Sequence, residues 1–290
     1  MGIANPKQKV QDWLTQQWVI LLGQSIDRDK DEWLLGPFGN TNGIGIKFIH
    51  ELAQREELVI DNSQPNKGLI QSIEQLKLSE ADLGILSTGV IDFYENTSNY
   101  ELELKIKWNP FLKVFGRLLK WLFSNRIQQL NIPTNTLRNS DAITSEIIQL
   151  KKSETNEIKR TVWLRSFKET GQVVYSGVYG TCVIPSGKTC IKAVFPLPNG
   201  NATVILEPIV GKQGELILQS SGRKFGDCGF YFLLNDSKGK LWAKYIRSFE
   251  DSLIAQSAQS DSIWVQQKLS LWKQHVVSFE YDIRRRVRQK

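Results

Sequence analysis

Glu280 and Asp282 stand two residues apart in VVSFEYDI, a run that alternates like a β-strand. Both carboxylates therefore leave the strand on one face, while Phe279, Tyr281 and Ile283 leave it on the other. If the acidic face lines a cavity, the pair can do acid–base work or anchor a polar headgroup. If it is solvated, it pairs with basic neighbours, which is routine for a half-wet strand. Glu207, in VILEP, is a third carboxylate set among apolar strand residues. These three, with Trp242 and Tyr231 from the aromatic strands, form the candidate ligand-binding set. Asp92 and Glu95, three apart in VIDFYENTSNY, share one face of an expected helix.

Other chemistries find little to work with. The two histidines, His50 and His275, lie far apart, and HELAQ lacks the second histidine of HExxH, so no metal site is expected. The three cysteines, Cys182, Cys190 and Cys228, have no paired spacing and read as small buried groups in a reducing, cytoplasmic setting. No GxSxG elbow occurs, no GxxxxGK[ST] loop, and the glycines of GPFGNTNGIG (36–45) do not fit GxGxxG. That loop reads as a helix entry, with ligand contact the functional alternative. Lys192 and Lys244 are single cations in apolar strands; a desolvated lysine can form a Schiff base, but most strand lysines project outward. No cofactor is expected. Trp163, Tyr175, Tyr179, Tyr231, Trp242, Tyr245, Trp264 and Trp272 fall among basic strands, as single-strand nucleic-acid binding would need. No recognition motif accompanies them, and aromatics also fill β-cores, so nucleic acid is not expected as a partner.

The elements that must position these residues change character along the chain. The first hundred residues read as helical. VQDWLTQQWVILL places Val10, Trp13, Leu14, Trp18, Leu21 and Leu22 at helical spacing, and Gly23 ends the run. Further helices are expected from about Ile44 to Leu58, around Leu69–Leu76, and from a Ser79 cap onward, with Leu83, Leu86, Val90 and Phe93 on one face. YELELKIKW (100–108) then alternates strictly and predicts a half-buried strand. After it come strands near 143–151, 158–168, 172–180, 188–195, 202–210, 215–220, 229–235, 240–247, 263–271 and 275–286. Turn-forming runs such as PSGK, LPNGN and NDSKGK separate them. The strand at 100–108 needs partners, and the second half supplies them.

WNPFLKVFGRLLKWLFSNR interrupts this pattern. Asn109 can cap a helix and Pro110 suits its first position. Lys113, Arg117, Lys120 and Ser124 make a narrow polar stripe, and Phe111, Phe115 and Trp121 belong to a wide apolar face. At ~1.5 Å per residue such a helix spans about 22 Å, short of a ~30 Å hydrocarbon core. Two roles fit it. It docks on the sheet or caps a barrel mouth, with its cationic stems snorkelling, or it contacts an anionic membrane through Phe111, Phe115, Trp121, Lys113, Arg117 and Lys120.

Bulk properties agree with a globular chain of 290 residues with a net charge of +7, 41% apolar and 23% charged residues. The charge is uneven: residues 1–150 carry 15 basic and 18 acidic groups, residues 151–290 carry 22 and 12, partly in the RRRVRQK tail. No signal segment or transmembrane helix is expected. The expectation is an α+β protein, with a helical region (1–99) packed on a large antiparallel β-barrel or sandwich (100–290) into which the 110–124 helix is inserted. In outline it is similar to a lipocalin-like up-and-down barrel, although Gly-x-Trp is missing and SGVYG (176–180) is a loose echo of it. A helix-grip fold would want a long C-terminal helix where this chain ends in a strand. The function expected is non-enzymatic binding of an apolar or amphipathic, lipid-like molecule inside the barrel, at a membrane surface or in the cytoplasm. A carboxylate-dependent enzyme acting on a lipid-like or sugar-like substrate and a peripheral membrane or scaffold protein are the alternatives.

Overall fold

The computed structural model describes residues 2–6, 10–39, 44–61, 66–109, 143–171, 173–220, 222–259 and 262–286. The expected helix at 110–124, with Phe111, Lys113, Phe115, Arg117, Lys120 and Trp121, lies outside these residues, as does the end of the basic tail.

Among the described residues the N-terminal third supplies four α-helices and three strands: α1 (Val10–Leu22), β1 (Gln24–Ser25), α2 (Ile46–Arg55), β2 (Leu58–Ile60), α3 (Glu80–Ile85), α4 (Thr88–Glu95) and β3 (Tyr100–Trp108). Gly23 ends α1 for a steric reason, since a Cβ there would sit 2.4 Å from the Val19 carbonyl oxygen and 2.5 Å from that of Ala243. Ser79 caps α3 as its sequence suggests, its hydroxyl accepting from the Asp82 amide at 3.1 Å. The single helix expected beyond it is instead two, and around Leu69–Leu76 only a 3-10 turn forms, at Ile73–Leu76. The region is not purely helical either: β2 pairs with β4 and β1 with β11, so both are stitched into the main sheet.

The rest is antiparallel: β4 (Ile143–Lys152), β5 (Ile158–Phe167), β6 (Val173–Val183), β7 (Thr189–Leu197), β8 (Gly200–Val210), β9 (Leu216–Gln219), β10 (Gly229–Asn235), β11 (Leu241–Tyr245), β12 (Phe249–Gln259), β13 (Ser262–Leu271) and β14 (Gln274–Arg285). The path of neighbours runs β2-β4-β5-β6-β7-β8-β9-β12-β13-β14-β3, with β10, β11 and β1 branching from β8. β8 is the junction. On the edge away from β7, its residues 200–205 pair with β10 and its residues 207–210 pair with β9.

The closed barrel is corrected: this is an open sheet. Its path ends at β2 and β3, which pair with β4 and β14 rather than with each other. Up-and-down order survives along most of the path because hairpin-length turns force neighbours in sequence to be neighbours in space. The two ends of the path still share one core. Ile147, Trp163, Ile191 and Val204 from one half meet Leu216, Leu218, Ile263, Val265 and Ile283 from the other, around Val90 and Phe93 of α4. On the opposite face of the first half, α2 buries Phe48, Ile49 and Leu52 against Ile148, Val162, Leu164, Val178 and Val194. α1 covers β10 and β11 with Val19 and Ile20.

Candidate functional site

The sequence-predicted residues are placed apart. Glu280 and Asp282 do share one face of β14, but Lys107 donates to Glu280 at 2.7 Å and Arg284 donates to Asp282 at 2.7 Å. Glu207, on β8 four strands away along the sheet, pairs with Lys188 of the turn before β7. Tyr231 is fully buried among Trp33, Phe225 and Tyr245, where its hydroxyl donates to the Asp227 carbonyl. Trp242 lies on the other face of the β10–β11 hairpin, under α1, with its indole N–H donating to Asp236 at 3.0 Å. Asp92 accepts from Tyr100 and Asn96, and Glu95 accepts the Ile73 amide at 2.7 Å, so both hold local structure. His50 is exposed on α2, and His275 shares a hydrogen bond with Ser278 at 2.7 Å. Lys192 is a brace: it donates to the carbonyls of Trp33 and Leu35 at 3.0 and 2.8 Å, and burial lowers its pKa. All three cysteines are free thiols in one buried cluster, Cys190 and Cys228 with their sulfurs 3.3 Å apart. Among the described residues no group of three or more metal-ligating side chains forms.

A different set of side chains converges between the halves of the sheet. Alternation along β5 sends Val162 and Leu164 toward α2 and Thr161, Trp163 and Arg165 to the inner face. Antiparallel register sets Arg165 opposite Tyr175 of β6, Trp163 opposite Gly177 and Thr161 opposite Tyr179. Gly177 matters sterically: a Cβ there would stand 3.0 Å from Tyr179, 3.2 Å from Phe195 and 3.3 Å from the Tyr175 hydroxyl. A bare backbone thus makes room for the rings on either side.

The Arg165 guanidinium carbon lies 3.9 Å from the centroid of Trp163, 5.5 Å from that of Tyr175 and 5.4 Å from that of Tyr281, which arrives from β14. The arginine is buried, and among the described residues its Nε has no hydrogen-bond partner. The hydroxyls of Tyr175 and Tyr179 bond to each other. Burial pushes Tyr175 well above the usual tyrosine range and Tyr179 to about 12; Arg165 opposes both shifts. Burial also raises Tyr281, against the charge and hydrogen bond of Arg165. All three are neutral at physiological pH.

The second half of the sheet contributes a carboxyl. Asp251 of β12 is buried, and the Gln267 amide of β13 donates to its two oxygens at 3.0 and 2.8 Å. Its backbone is fixed by Ser220, whose hydroxyl accepts the Asp251 amide at 2.6 Å. Burial pushes the Asp251 carboxyl up to about 7, with the Gln267 bond pulling the other way. Asp251 is near enough to act electrostatically on Tyr179 and Tyr281. A fixed cation and the phenols of Tyr175, Tyr179 and Tyr281 thus meet between the halves of the sheet, and the buried Asp251 carboxyl interacts electrostatically with two of the phenols. A buried guanidinium with aromatic faces around it and hydroxyl groups beside it can hold an anionic or polar headgroup.

Sequence reading noted Trp163, Tyr175 and Tyr179 only as aromatics among basic strands, and it passed over Arg165 and Asp251. Arg165 was legible as an inward position of β5 from its place two residues after Trp163. Asp251 was hidden, because FEDSLIAQSAQ puts an aspartate and an alanine at inward positions and so breaks the apolar alternation that marks a strand.

No family model matches the chain, and no solved structure matches it. Over 173 residues the chain is 25% identical to a protein of Bacillus subtilis (strain 168) named "Uncharacterized membrane protein YndJ". That match takes in 59% of this chain but 31% of the relative, so the likeness spans less than a third of the relative's length. Among the described residues no helix is long and apolar enough to cross a membrane.

Proposed function

We propose that the protein binds an amphipathic, lipid-like molecule between the two halves of its sheet, without altering it chemically, and works at a membrane surface. One observation carries the reading: the buried Arg165 guanidinium, ringed by Trp163, Tyr175 and Tyr281, has an Nε that no described residue bonds. Removing such a cation from water costs several kcal/mol, of which aromatic faces recover about 0.5–2 kcal/mol each. A carboxylate or phosphate headgroup would supply the acceptor that Nε lacks. The apolar part of the molecule would find Phe195, Leu218 and Val265 in the same core. The membrane setting is supported by the name of the Bacillus relative.

The test is to denature the protein purified from cells and examine the released small molecules by mass spectrometry. The delipidated wild type and Arg165→Met are then titrated with oleate. A stoichiometric anionic amphiphile is expected, and Arg165→Met should bind oleate at least about tenfold more weakly. No recovered amphiphile together with no oleate binding sinks the proposal, as does equal binding by the variant.

A second reading has its own observation, the buried Asp251 carboxyl, whose two oxygens accept from the Gln267 amide at 3.0 and 2.8 Å and which burial pushes up to about 7. An enzyme acting on a lipid-like or sugar-like substrate would use it as general acid or base. It takes the place of Glu207, Glu280 and Asp282, which stand in ion pairs. A product formed from the recovered ligand by the wild type but not by Asp251→Asn would favour this reading. An unchanged ligand would favour simple binding.

A further inference from the structure

α1 meets the rest of the molecule through one face. Val19 and Ile20 join Ala4 and Leu234 in a small core, and the Gln16 amide donates to the Pro198 carbonyl at 2.8 Å. At about 100° per residue, Val10, Leu14, Trp18, Leu21 and Leu22 fall on the opposite face. They are exposed to between 39% and 73%. A helix on a globular surface normally shows water its polar face. Here the buried side takes Asp12 and Gln16, while Val10, Leu14, Leu21 and Leu22 point out and Trp18 is partly exposed with its edge against Phe232.

The stripe has a cationic rim. The Lys244 ammonium lies 4.9 Å over the Trp18 ring and donates to the Leu22 carbonyl at 3.0 Å. Lys240 lies 5.0 Å over Trp242, which packs beneath the same helix. Lys238 is exposed in the same turn. The one carboxylate of that turn, Asp236, is turned inward and bonded by the Trp242 indole and the amides of Lys238 and Lys240.

We propose that this face of α1, with Lys240 and Lys244 at its rim, is the surface by which the protein lies on an anionic lipid bilayer. Thirteen residues make about 20 Å of helix, which can lie along the interface but not cross it. Leucines and valine enter the acyl boundary, the tryptophan sits at headgroup depth, and the lysines reach lipid phosphates. This assignment stands apart from the Arg165 site and does not need a ligand there.

The full chain is sedimented at low salt with vesicles of phosphatidylglycerol and phosphatidylcholine in equal parts, and with phosphatidylcholine alone. Binding to the anionic vesicles is expected. Leu14→Ser/Leu21→Ser/Leu22→Ser should weaken it at least about tenfold while leaving the thermal midpoint unchanged. Lys240→Gln/Lys244→Gln should weaken it several-fold and flatten its salt dependence. If the triple variant fails to fold, Leu14→Ser alone is read in the same assay. Equal binding to both vesicle types, or equal binding by the serine variants, overturns the proposal. So does a wild-type dimer that the serine substitutions disperse, since a second copy would then own the face.

Discussion

At the scale of single residues, the buried polar groups have measurable consequences. The pKa of Asp251 is raised in the folded protein, so over the interval from about 4 to 7 the native state holds a proton that the unfolded state has released. Stability therefore falls as pH rises through that window, by up to about 4 kcal/mol for a shift of this size. Asp251→Asn should remove that slope: thermal midpoints taken from pH 5 to pH 8 should decline in the wild type and decline less in the variant. Parallel curves would place the titration elsewhere. Gly177→Val makes the opposite kind of test. A side chain forced among Tyr175, Tyr179 and Phe195 should lower stability by about 1–3 kcal/mol, read by chemical denaturation.

Elements differ in how fully their own sequence specifies them. β3 and β14 were legible in detail, because alternation makes the facing of every side chain follow from one, and Glu280 and Asp282 do share a face. α1 was legible as a helix but not in its orientation. Its C-terminal half, WVILL, is apolar all round, so spacing alone selected Leu14, Trp18 and Leu21 where docking selected Val19 and Ile20. The difference is testable: Leu52→Ala on the buried face of α2 should cost about 2–5 kcal/mol, whereas Leu14→Ser on α1 should stay within about 0.5 kcal/mol. The β13–β14 turn carries a cost of its own. Trp272 and Lys273 both adopt positive φ, 48° and 64°, a conformation that Asn-Gly adopts readily. Trp272→Asn/Lys273→Gly should raise the thermal midpoint, with a gain of about 1 kcal/mol. A lower midpoint would mean that the tryptophan contributes packing that outweighs the strain.

For the whole molecule, the shared core and the stitching of β1, β2 and β3 into the sheet tie the N-terminal region to the strands that follow. Unfolding followed by far-ultraviolet and near-ultraviolet circular dichroism should therefore give coincident transitions. Residues 100–290 alone should show no cooperative transition, because Val90, Phe93 and β2 would be missing; two separate transitions in the full chain would mean independent units. Local periodicity and turn chemistry are short-range properties, and they determined most strands, most turns and the α+β class directly from the sequence. Whether the sheet closed, which face of α1 was covered and which inward positions could carry an arginine and an aspartate were settled only by tertiary structure. Each depends on distant segments meeting: the partners β8 takes on one edge, the hairpin that docks on Val19 and Ile20, and the aromatic rings that make a buried charge tolerable.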